Sequence, residues 1–380
     1  MRIVSGLVVT ASFVLGSGAI ARPQFETAAP IAYAIDTASG AILFDRNSRQ
    51  TIPPASMAKM MTAYVVFDLI NRGSIRPDQK FIVRPKTWKK WNNTGSTMFL
   101  KPGEQVSVAN LLHGVVTVSG NDAAIVLAEG ISGSEAGFVR AMNAHAQRLG
   151  MKDSHFGTAN GWPDEGRTMT TARDLSLLAA RTIQTFPQLY RQFYGLKEYR
   201  WNNVTQANRN PILGRISGAD GLKTGHTDNA GYCFTGTAEQ KGRRIIVVVA
   251  GLGTMDARAR ESVRLLQWGF DAWRAQPLFN SQSVVATLPV QLGEETHVQA
   301  IAPSKLALTL PATDAPRYKL FVRYAGPIKA PLRKGNRVAT LVARFQDGTE
   351  QVMPLIAAQS VAKAGFVHRA WNGLKSLLDA

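Results

Sequence analysis

The stretch Pro53-Pro54-Ala55-Ser56-Met57-Ala58-Lys59 organises this chain. The two prolines predict an extended approach, and apolar residues at helical spacing follow at once. Ser56 falls where the predicted helix begins and Lys59 comes three residues later, so both side chains project from one face, a single turn apart. A buried lysine can be neutral enough to activate a neighbouring serine as a nucleophile. Taken alone, the stretch is more typical of a serine N-cap followed by a solvated lysine, because the four-residue pattern is short and common.

The first 21 residues have the pattern of a secretory signal peptide. A basic start at Arg2 is followed by an apolar run to Leu15 and by small residues that end at Ala21. The apolar run is too short, and too often interrupted by Ser and Gly, to span a membrane comfortably. We therefore expect cleavage after Ala21 and an exported protein, and no later segment is apolar for long enough to cross a bilayer.

Charge and cysteine content narrow the function classes. The formal net charge is +18, which would suggest nucleic acid in a cytoplasmic protein. In an exported protein the acidic partners are instead anionic lipids, wall polymers and wall peptides, so no nucleic acid is expected. The single cysteine, Cys233, allows no internal disulfide and reads as a small buried residue of a strand. The six histidines show no metal spacing, so neither a metal nor a cofactor is expected.

Residues 22–275 read as one large domain with strands at both ends and helices between them. Two apolar runs around Thr37-Ala38-Ser39-Gly40 predict a β-hairpin, and strands are also predicted for residues 232–237 and 244–252. This order implies an α/β fold with one antiparallel sheet that is closed by both ends of the domain and flanked by helices.

The helices of this domain are interrupted by two irregular segments. A helix is predicted from the Ser107 cap through Val116, and a last helix over residues 257–273. Residues 84–101 are expected to form a loop at the wall of a site, although the sequence does not specify what kind of site. Residues 156–171 carry Gly and Pro without a clear period, and such long segments are often functional.

The rest of the chain divides into two parts. Residues 276–358 contain short alternating runs separated by Pro and Gly, which predict a small all-β domain of the sandwich type. Residues 359–380 place Phe366, Trp371 and Leu374 on one helical face with cations opposite. We expect an amphipathic helix that lies on anionic membrane lipid, although a helix docked on its own protein is the alternative.

Three short motifs stand in order along the large domain: Ser56-x-x-Lys59, Ser119-Gly120-Asn121 and Lys223-Thr224-Gly225. Each is weak alone, but their order, wide spacing and positions at element edges make the set specific. The chain here resembles the serine-type D-alanyl-D-alanine carboxypeptidases, low-molecular-mass penicillin-binding proteins of peptidase family S11. The resemblance covers residues 31–273 and is supported by longer matches: Met98-Phe99-Leu100-Lys101-Pro102-Gly103, Asn208-Arg209-Asn210, and Lys223-Thr224-Gly225-His226-Thr227.

The resemblance implies a β-lactamase/transpeptidase-like fold and a catalytic role for three residues. Ser56 would attack the carbonyl of the terminal D-Ala–D-Ala bond, Lys59 would accept its proton, and Ser119 would relay a proton to the leaving amine. A second cation near Lys59 would help to keep its amine neutral, because like charges repel. The resemblance also implies a substrate-binding set: Asn121, Lys223, Thr224, Gly225, His226, Thr227 and Arg209. Arg209 is equally consistent with a brace for its loop.

The implied activity is removal of the C-terminal D-alanine from peptidoglycan stem pentapeptides, with β-lactam antibiotics as covalent inhibitors. The implied location is the periplasm, with the C-terminal helix attached to anionic lipids on the outer face of the inner membrane.

The sequence departs from the family pattern in one loop, and this departure supports an alternative enzymatic function. The family often places a histidine where this chain has Asn160, and Glu165 lies in a loop where β-lactamases keep a glutamate that activates water. A β-lactam hydrolase is therefore the nearest alternative, followed by an endopeptidase acting on cross-links. A non-catalytic wall-binding protein on the same fold has no use for a paired serine and lysine.

Overall fold

The computed structural model describes residues 3–5, 22–313 and 316–365 of the 380-residue chain. The described chain divides into two compact units. The larger unit comprises Phe25–Ile35 and Ile42–Phe270, and the smaller one is built mainly from the chain after Asp271. Most of the predicted signal peptide and of the helix predicted over residues 359–380 lies outside the described residues. The described start of that segment, residues 359–365, is not helical, because Val361 and Lys363 form isolated bridges with Leu332 and Gly293.

The helices of the described chain lie in its larger unit, and the last of them ends at its border. They are α1 Lys59–Asn71, α2 Pro85–Trp91, α3 Val108–Val116, α4 Asn121–Ser132, α5 Glu135–Leu149, α6 Ala172–Thr185, α7 Pro187–Phe193 and α8 Met255–Asp271.

The strands of the larger unit form a central sheet and two small sheets of two strands each. They are β2 Ile31–Asp36, β3 Ile42–Arg46, β4 Lys80–Ile82, β5 Gln105–Ser107, β6 Glu198–Trp201, β7 Val204–Ala207, β8 Ala219–Thr227, β9 Gly231–Gln240 and β10 Arg243–Leu252. The small sheets are the pairs β4–β5 and β6–β7. A short strand, β1 Ile3–Ser5, precedes them in the chain.

The central sheet has the order β3-β2-β10-β9-β8. The pairs β2–β3, β9–β10 and β8–β9 are antiparallel, so the predicted sheet closed by both ends of the domain is confirmed. Strand β8, which carries the Lys-Thr-Gly motif, lies at one edge of this sheet. Its outer backbone groups can therefore pair with an added strand.

Helix α1 is buried on almost every side rather than on one face. Its residues from Lys59 to Phe67 are all buried, and it packs against α3, α5, α6 and β8. A helix that is apolar all round belongs in a protein core. The helix therefore anchors the serine–lysine pair in the most rigid part of the domain.

The predicted start of α3 is confirmed, whereas the predicted loop over residues 84–101 is only partly correct. The Ser107 hydroxyl accepts a hydrogen bond from the backbone N–H of Asn110, as expected of an N-cap. Residues 85–91 form helix α2, with Pro85 in its first turn and Trp91 buried. Two turns are too short to give a readable helical period, so sequence reasoning missed this helix.

The irregular character of residues 156–171 is confirmed. Isolated bridges between His155 and Met169 and between Ile52 and Thr170 fix its ends. The second bridge ties the segment to the chain just before Pro53. The segment is therefore held beside the turn that carries Ser56.

The smaller unit is the predicted all-β domain. Its strands are β11 Trp273–Phe279, β12 Val284–Gln291, β13 His297–Ile301, β14 Leu306–Pro311, β15 Tyr318–Ala325, β16 Ile328–Lys329, β17 Arg337–Phe345 and β18 Glu350–Ala357. They form a sheet of order β1-β15-β17-β18-β13-β12-β16 and a separate β11–β14 pair. On β12 the alternation predicted for Val284, Ala286, Leu288 and Val290 holds for the last three, which are buried, whereas Val284 at the start of the strand is exposed.

Among the residues that the structure describes, none of the helices has the length and apolar character needed to span a membrane.

Candidate active site

Ser56 lies in a single 3-10 turn, Ala55–Ala58, that leads directly into α1. Pro54 occupies the N-cap position, and no side chain caps this turn. The interpretation of Ser56 as an N-cap is therefore wrong. Its hydroxyl is instead 3.0 Å from the amine of Lys59, which donates a hydrogen bond to it.

Lys59 is almost completely buried, with a relative exposure of 1%. Besides the bond to Ser56, its Nζ donates to the Asn121 side-chain oxygen at 2.8 Å and to the Asn160 carbonyl at 2.7 Å. Burial, together with the positive charge of Arg209, lowers the pKa of Lys59 to about 7. The interpretation of Lys59 as a solvated lysine is therefore also wrong. Its amine is suited to gain and lose a proton near neutral pH.

The Ser119-Gly120-Asn121 motif forms the turn between α3 and α4, with Ser119 in the left-handed region at φ 64°. A Cβ on Gly120 would lie 2.8 Å from an Asp122 carboxylate oxygen, so the turn requires a glycine there. The Asn121 amide accepts from Lys59 and donates to the Thr94 carbonyl at 3.0 Å. It therefore links the buried lysine to the loop that follows α2.

Asp122 supports this motif in a way that sequence reasoning did not detect. Its buried carboxylate accepts hydrogen bonds from the Thr97 hydroxyl at 2.6 Å, the Met98 N–H at 2.8 Å and the Leu100 N–H at 3.2 Å. Its position in the first turn of α4 is also favourable for a negative charge. The carboxylate also fastens residues 97–100 to the start of that helix.

The Lys-Thr-Gly motif lies on the edge strand β8. The Lys223 amine is buried and donates to the Ser119 hydroxyl at 2.9 Å, which joins the second and third motifs. Burial holds the pKa of Lys223 well below its usual range, and the neighbouring charge of Lys59 lowers it further. The three motifs therefore meet through two buried amines.

Gly225 is required by a close approach within the protein. A Cβ at this position would lie 2.6 Å from the Pro54 carbonyl oxygen and 3.2 Å from the Met57 side chain. Sequence reasoning attributed this glycine to an approaching substrate. The structure shows that it lets β8 lie against the turn that carries Ser56.

The two residues after Gly225 bound the same region. The His226 ring stacks on Tyr232 with a centroid distance of 3.9 Å, and the Thr227 hydroxyl accepts a hydrogen bond from the Ala230 N–H at 3.1 Å. Thr227 therefore stabilises the turn between β8 and β9.

Arg209 faces the same region from the opposite side. Its guanidinium donates to the Ser96 hydroxyl, whereas the flanking asparagines hold the loop itself: Asn208 donates to the Leu196 carbonyl and Asn210 accepts from the Ile212 N–H. The asparagines therefore brace their own loop, whereas Arg209 both contacts Ser96 and lines the cavity.

Arg258 of α8 is the residue that sequence reasoning missed entirely. It is 5% exposed, its guanidinium lies 5.6 Å from the centre of the Tyr232 ring, and its Nε has no hydrogen-bond partner among the described residues. No motif marks it, because it lies in a helix that looked purely structural.

These residues surround a cavity of about 800 Å³. Its wall includes Ser56, Ser119, Asn121, Arg209, Thr224, Gly225, His226, Thr227 and Arg258. Lys59 and Lys223 lie beneath this wall. Lys59 is hydrogen-bonded to Ser56 and Lys223 to Ser119, and both serines line the cavity. The cavity thus combines a serine–lysine pair with two arginines that can attract an anion.

Glu165 stands apart from this arrangement. It is exposed and lines a neighbouring cavity rather than the one that contains Ser56. Within the described part of the chain, no group of three or more His, Cys, Asp or Glu side chains is placed to hold a metal ion.

Comparison with known proteins agrees with the geometry. The family model for D-alanyl-D-alanine carboxypeptidase, peptidase S11, matches residues 18–254, and the model for the C-terminal domain of penicillin-binding protein 5 matches residues 273–363. The D-alanyl-D-alanine carboxypeptidase DacC of Escherichia coli is 35% identical over 343 residues, which cover 89% of this chain and 85% of the relative.

Solved structures show the same relationship. Penicillin-binding protein 5 from Haemophilus influenzae matches with a TM-score of 0.74 at 34% identity, over 91% of this chain and 100% of that protein. Penicillin-binding protein D2 from Listeria monocytogenes, solved in its ampicillin-bound form, matches 66% of this chain and 100% of its own, with a TM-score of 0.59 at 31% identity. The resemblance drawn from the three motifs is therefore confirmed, and this chain belongs to the D-alanyl-D-alanine carboxypeptidases of peptidase family S11.

Proposed function

We propose that this protein removes the C-terminal D-alanine from peptidoglycan stem pentapeptides through an acyl-enzyme on Ser56. The observation that carries the proposal is the buried Lys59 amine, 3.0 Å from the Ser56 hydroxyl and with a pKa of about 7. Such an amine is uncharged often enough to take the proton of the serine as it attacks.

Acylation forms a bond between Ser56 Oγ and the carbonyl carbon of the penultimate D-alanine. Backbone N–H groups of Ser56 and His226 would stabilise the oxyanion, and single donors of this kind are worth on the order of 3 kcal/mol. The leaving amine of the last D-alanine needs a proton. The Ser119 hydroxyl would deliver this proton, and its hydrogen bond from the buried Lys223 amine supports that role.

Deacylation completes the reaction. Water attacks the ester carbon and gives up a proton to Lys59 or Lys223. The bond between that carbon and Ser56 Oγ then breaks, Ser56 Oγ takes up a proton, and the shortened peptide is released. No oxidant, metal or cofactor takes part in this sequence of steps.

Substrate recognition follows from the edge strand and the two arginines. The peptide would add as a strand beside β8, where Gly225, His226 and Thr227 offer backbone groups and Asn121 an amide. The free carboxylate of the last D-alanine would bind near Thr224, Lys223 and Arg209, and Arg258 adds a guanidinium whose Nε has no partner among the described residues. Because the site would require the free carboxylate of the last residue, it would select the C-terminal end of a stem peptide.

The proposal extends to location and domain roles. We assign residues 1–21 to a signal peptide, 22–275 to the catalytic domain and 276–358 to the all-β domain, and we place a membrane anchor within residues 359–380. The charge of +18 and the amphipathic pattern of the last residues support attachment to anionic lipid on the periplasmic side of the inner membrane. Val361 and Ala364 are buried in the smaller unit, so an anchor would use the residues beyond them.

The decisive experiment measures D-alanine release from a stem pentapeptide beside hydrolysis of a penicillin. We expect steady D-alanine release, stable labelling by a fluorescent penicillin, and slow turnover of that label. Ser56→Ala should abolish both release and labelling while keeping the fold. Fast penicillin hydrolysis without D-alanine release would instead identify a β-lactamase.

A further inference from the structure

A second cavity, of about 190 Å³, adjoins the catalytic one. The two share a wall formed by Gly161, Trp162, Pro163, Thr227 and Asn229. Gly161 packs tightly against the turn that carries Ser56, because a Cβ there would lie 1.9 Å from the Ala55 carbonyl oxygen. The second cavity therefore borders the region around Ser56.

The two cavities differ in charge. The catalytic cavity is lined by two arginines, Arg209 and Arg258, and by one acidic residue, Asp228, and the buried amines of Lys59 and Lys223 lie beneath it. The second cavity is lined by the carboxylates of Asp164 and Glu165 and, among the described residues, by no basic side chain. A ligand that spans both would match this polarity with an anionic group at one end and a cationic group at the other.

The two carboxylates of the second cavity have different tasks. Asp164 is 8% exposed, and its oxygens accept hydrogen bonds from the Thr168 N–H at 2.9 Å and the Thr168 hydroxyl at 2.6 Å. It therefore holds the loop together. Glu165 is exposed and forms no ion pair with any described residue. Its carboxylate is free to meet a ligand.

The direction of the substrate strand decides which part of the peptide reaches this cavity. In the binding mode proposed above, the terminal carboxylate would lie near Thr224 and Arg209, and the scissile carbonyl at Ser56. The chain before the two D-alanines must then run along β8 towards Thr227 and Asn229, which border the second cavity. The first side chain beyond the D-alanines belongs to the diamino acid of the stem peptide.

We propose that the second cavity is a subsite for the side-chain amine of that diamino acid, with Glu165 as its specificity-determining residue. The inference rests on the proposed carboxypeptidase function and adds a preference for substrates with a free, cationic amine at this position. A primary ammonium can donate up to three hydrogen bonds, and Thr227 and Asn229 offer further acceptors beside Glu165.

The test compares two peptides on the full-length protein. One is Nα-acetyl-L-lysyl-D-alanyl-D-alanine, with a free side-chain amine, and the other carries a second acetyl group on that amine. Since an exposed ion pair contributes up to about 1 kcal/mol, we expect kcat/KM for D-alanine release to be roughly two- to fivefold higher for the free amine. The preference should weaken in high salt, because the pair is partly solvated.

Two variants test whether the preference for the free amine depends on the Glu165 carboxylate. In Glu165→Gln the ratio of kcat/KM between the free-amine and the acetylated peptide should fall towards one. Only kcat/KM for the free-amine peptide should decrease. Asp78→Asn is the matched control, because it removes the same charge from an exposed loop site that lines neither cavity. It should keep the wild-type ratio.

Two results would overturn the subsite. The ratio could be the same in wild type and Glu165→Gln, or Glu165→Gln could slow both peptides equally, which would assign Glu165 to loop structure. No release from either peptide by the wild-type protein would overturn the carboxypeptidase function itself, and the subsite with it.

Discussion

The amine of Lys59 lies 3.0 Å from the hydroxyl of Ser56 in a setting that water barely reaches. Three acceptors surround this amine, and two of them come from Asn121 and Asn160, distant in sequence. The pair is therefore positioned by three separate segments of the chain. Its chemistry depends on all of them.

The pKa of Lys59 predicts the pH dependence of acylation. Burial lowers this pKa to about 7, so the amine is neutral and basic above that pH and protonated below it. We expect the rate of labelling by a fluorescent penicillin to fall about tenfold per pH unit below 7 and to level off above it. Lys59→Arg, which stays charged throughout, should not be labelled at any pH. A flat profile between about pH 5 and 8 would contradict the assignment of Lys59 as the base.

Arg209 should influence both pH dependence and affinity. Its charge lowers the pKa of Lys59, so Arg209→Gln should raise the midpoint of the acylation profile, by roughly half a pH unit. Loss of a carboxylate contact should also raise KM for D-alanine release about tenfold. Arg209→Lys keeps the charge and should leave the midpoint in place. A lower midpoint in Arg209→Gln would refute this electrostatic role.

Asp122 should be a large contributor to the stability of the catalytic domain. Asp122→Ala leaves the Thr97 hydroxyl and the Met98 and Leu100 N–H groups without their acceptor. We expect a loss of about 3 kcal/mol in the free energy of unfolding, measured by urea titration. Asp78→Ala removes an exposed ion pair and should cost less than about 0.5 kcal/mol. If the two substitutions lowered the free energy of unfolding equally, the Asp122 clamp, meaning the hydrogen bonds of this carboxylate to residues 97–100, would be unimportant for stability.

Gly161 should be intolerant of any side chain. Gly161→Ala would force a Cβ against the Ala55 carbonyl and displace Asn160, whose own carbonyl holds Lys59. We expect acylation to slow about 100-fold, as is typical when a catalytic group moves by about 1 Å. Gly150→Ala is the control, since Gly150 also has a positive φ but open space around it. It should cost about 1 kcal/mol of stability and leave acylation unchanged.

The last residues of the chain should decide membrane attachment. Deletion of residues 366–380 is expected to move the protein from the membrane fraction to the soluble fraction, because the apolar face of that segment is lost. D-alanine release should persist in the truncated protein. A truncated protein that still sediments with membranes would assign the attachment to another part of the chain.

The sequence alone determined the chemistry and the plan of the fold. Ser56 and Lys59 sit one helical turn apart, and that spacing follows from local backbone geometry, so it could be predicted. The edge-strand motif, the Ser107 cap and the alternation on β12 are local patterns of the same kind. Short-range periodicity and turn chemistry carry this information without knowledge of distant contacts.

Only the tertiary structure decided how these groups work together. The low pKa of Lys59, the bond from Lys223 to Ser119 and the fit of Gly225 against Pro54 each join segments far apart in sequence. Arg258 and the Asp122 clamp had no local signal, because an isolated arginine or aspartate on a helix is ordinary. Burial and electrostatic coupling depend on what the rest of the chain places around a residue, and that is set when the chain folds.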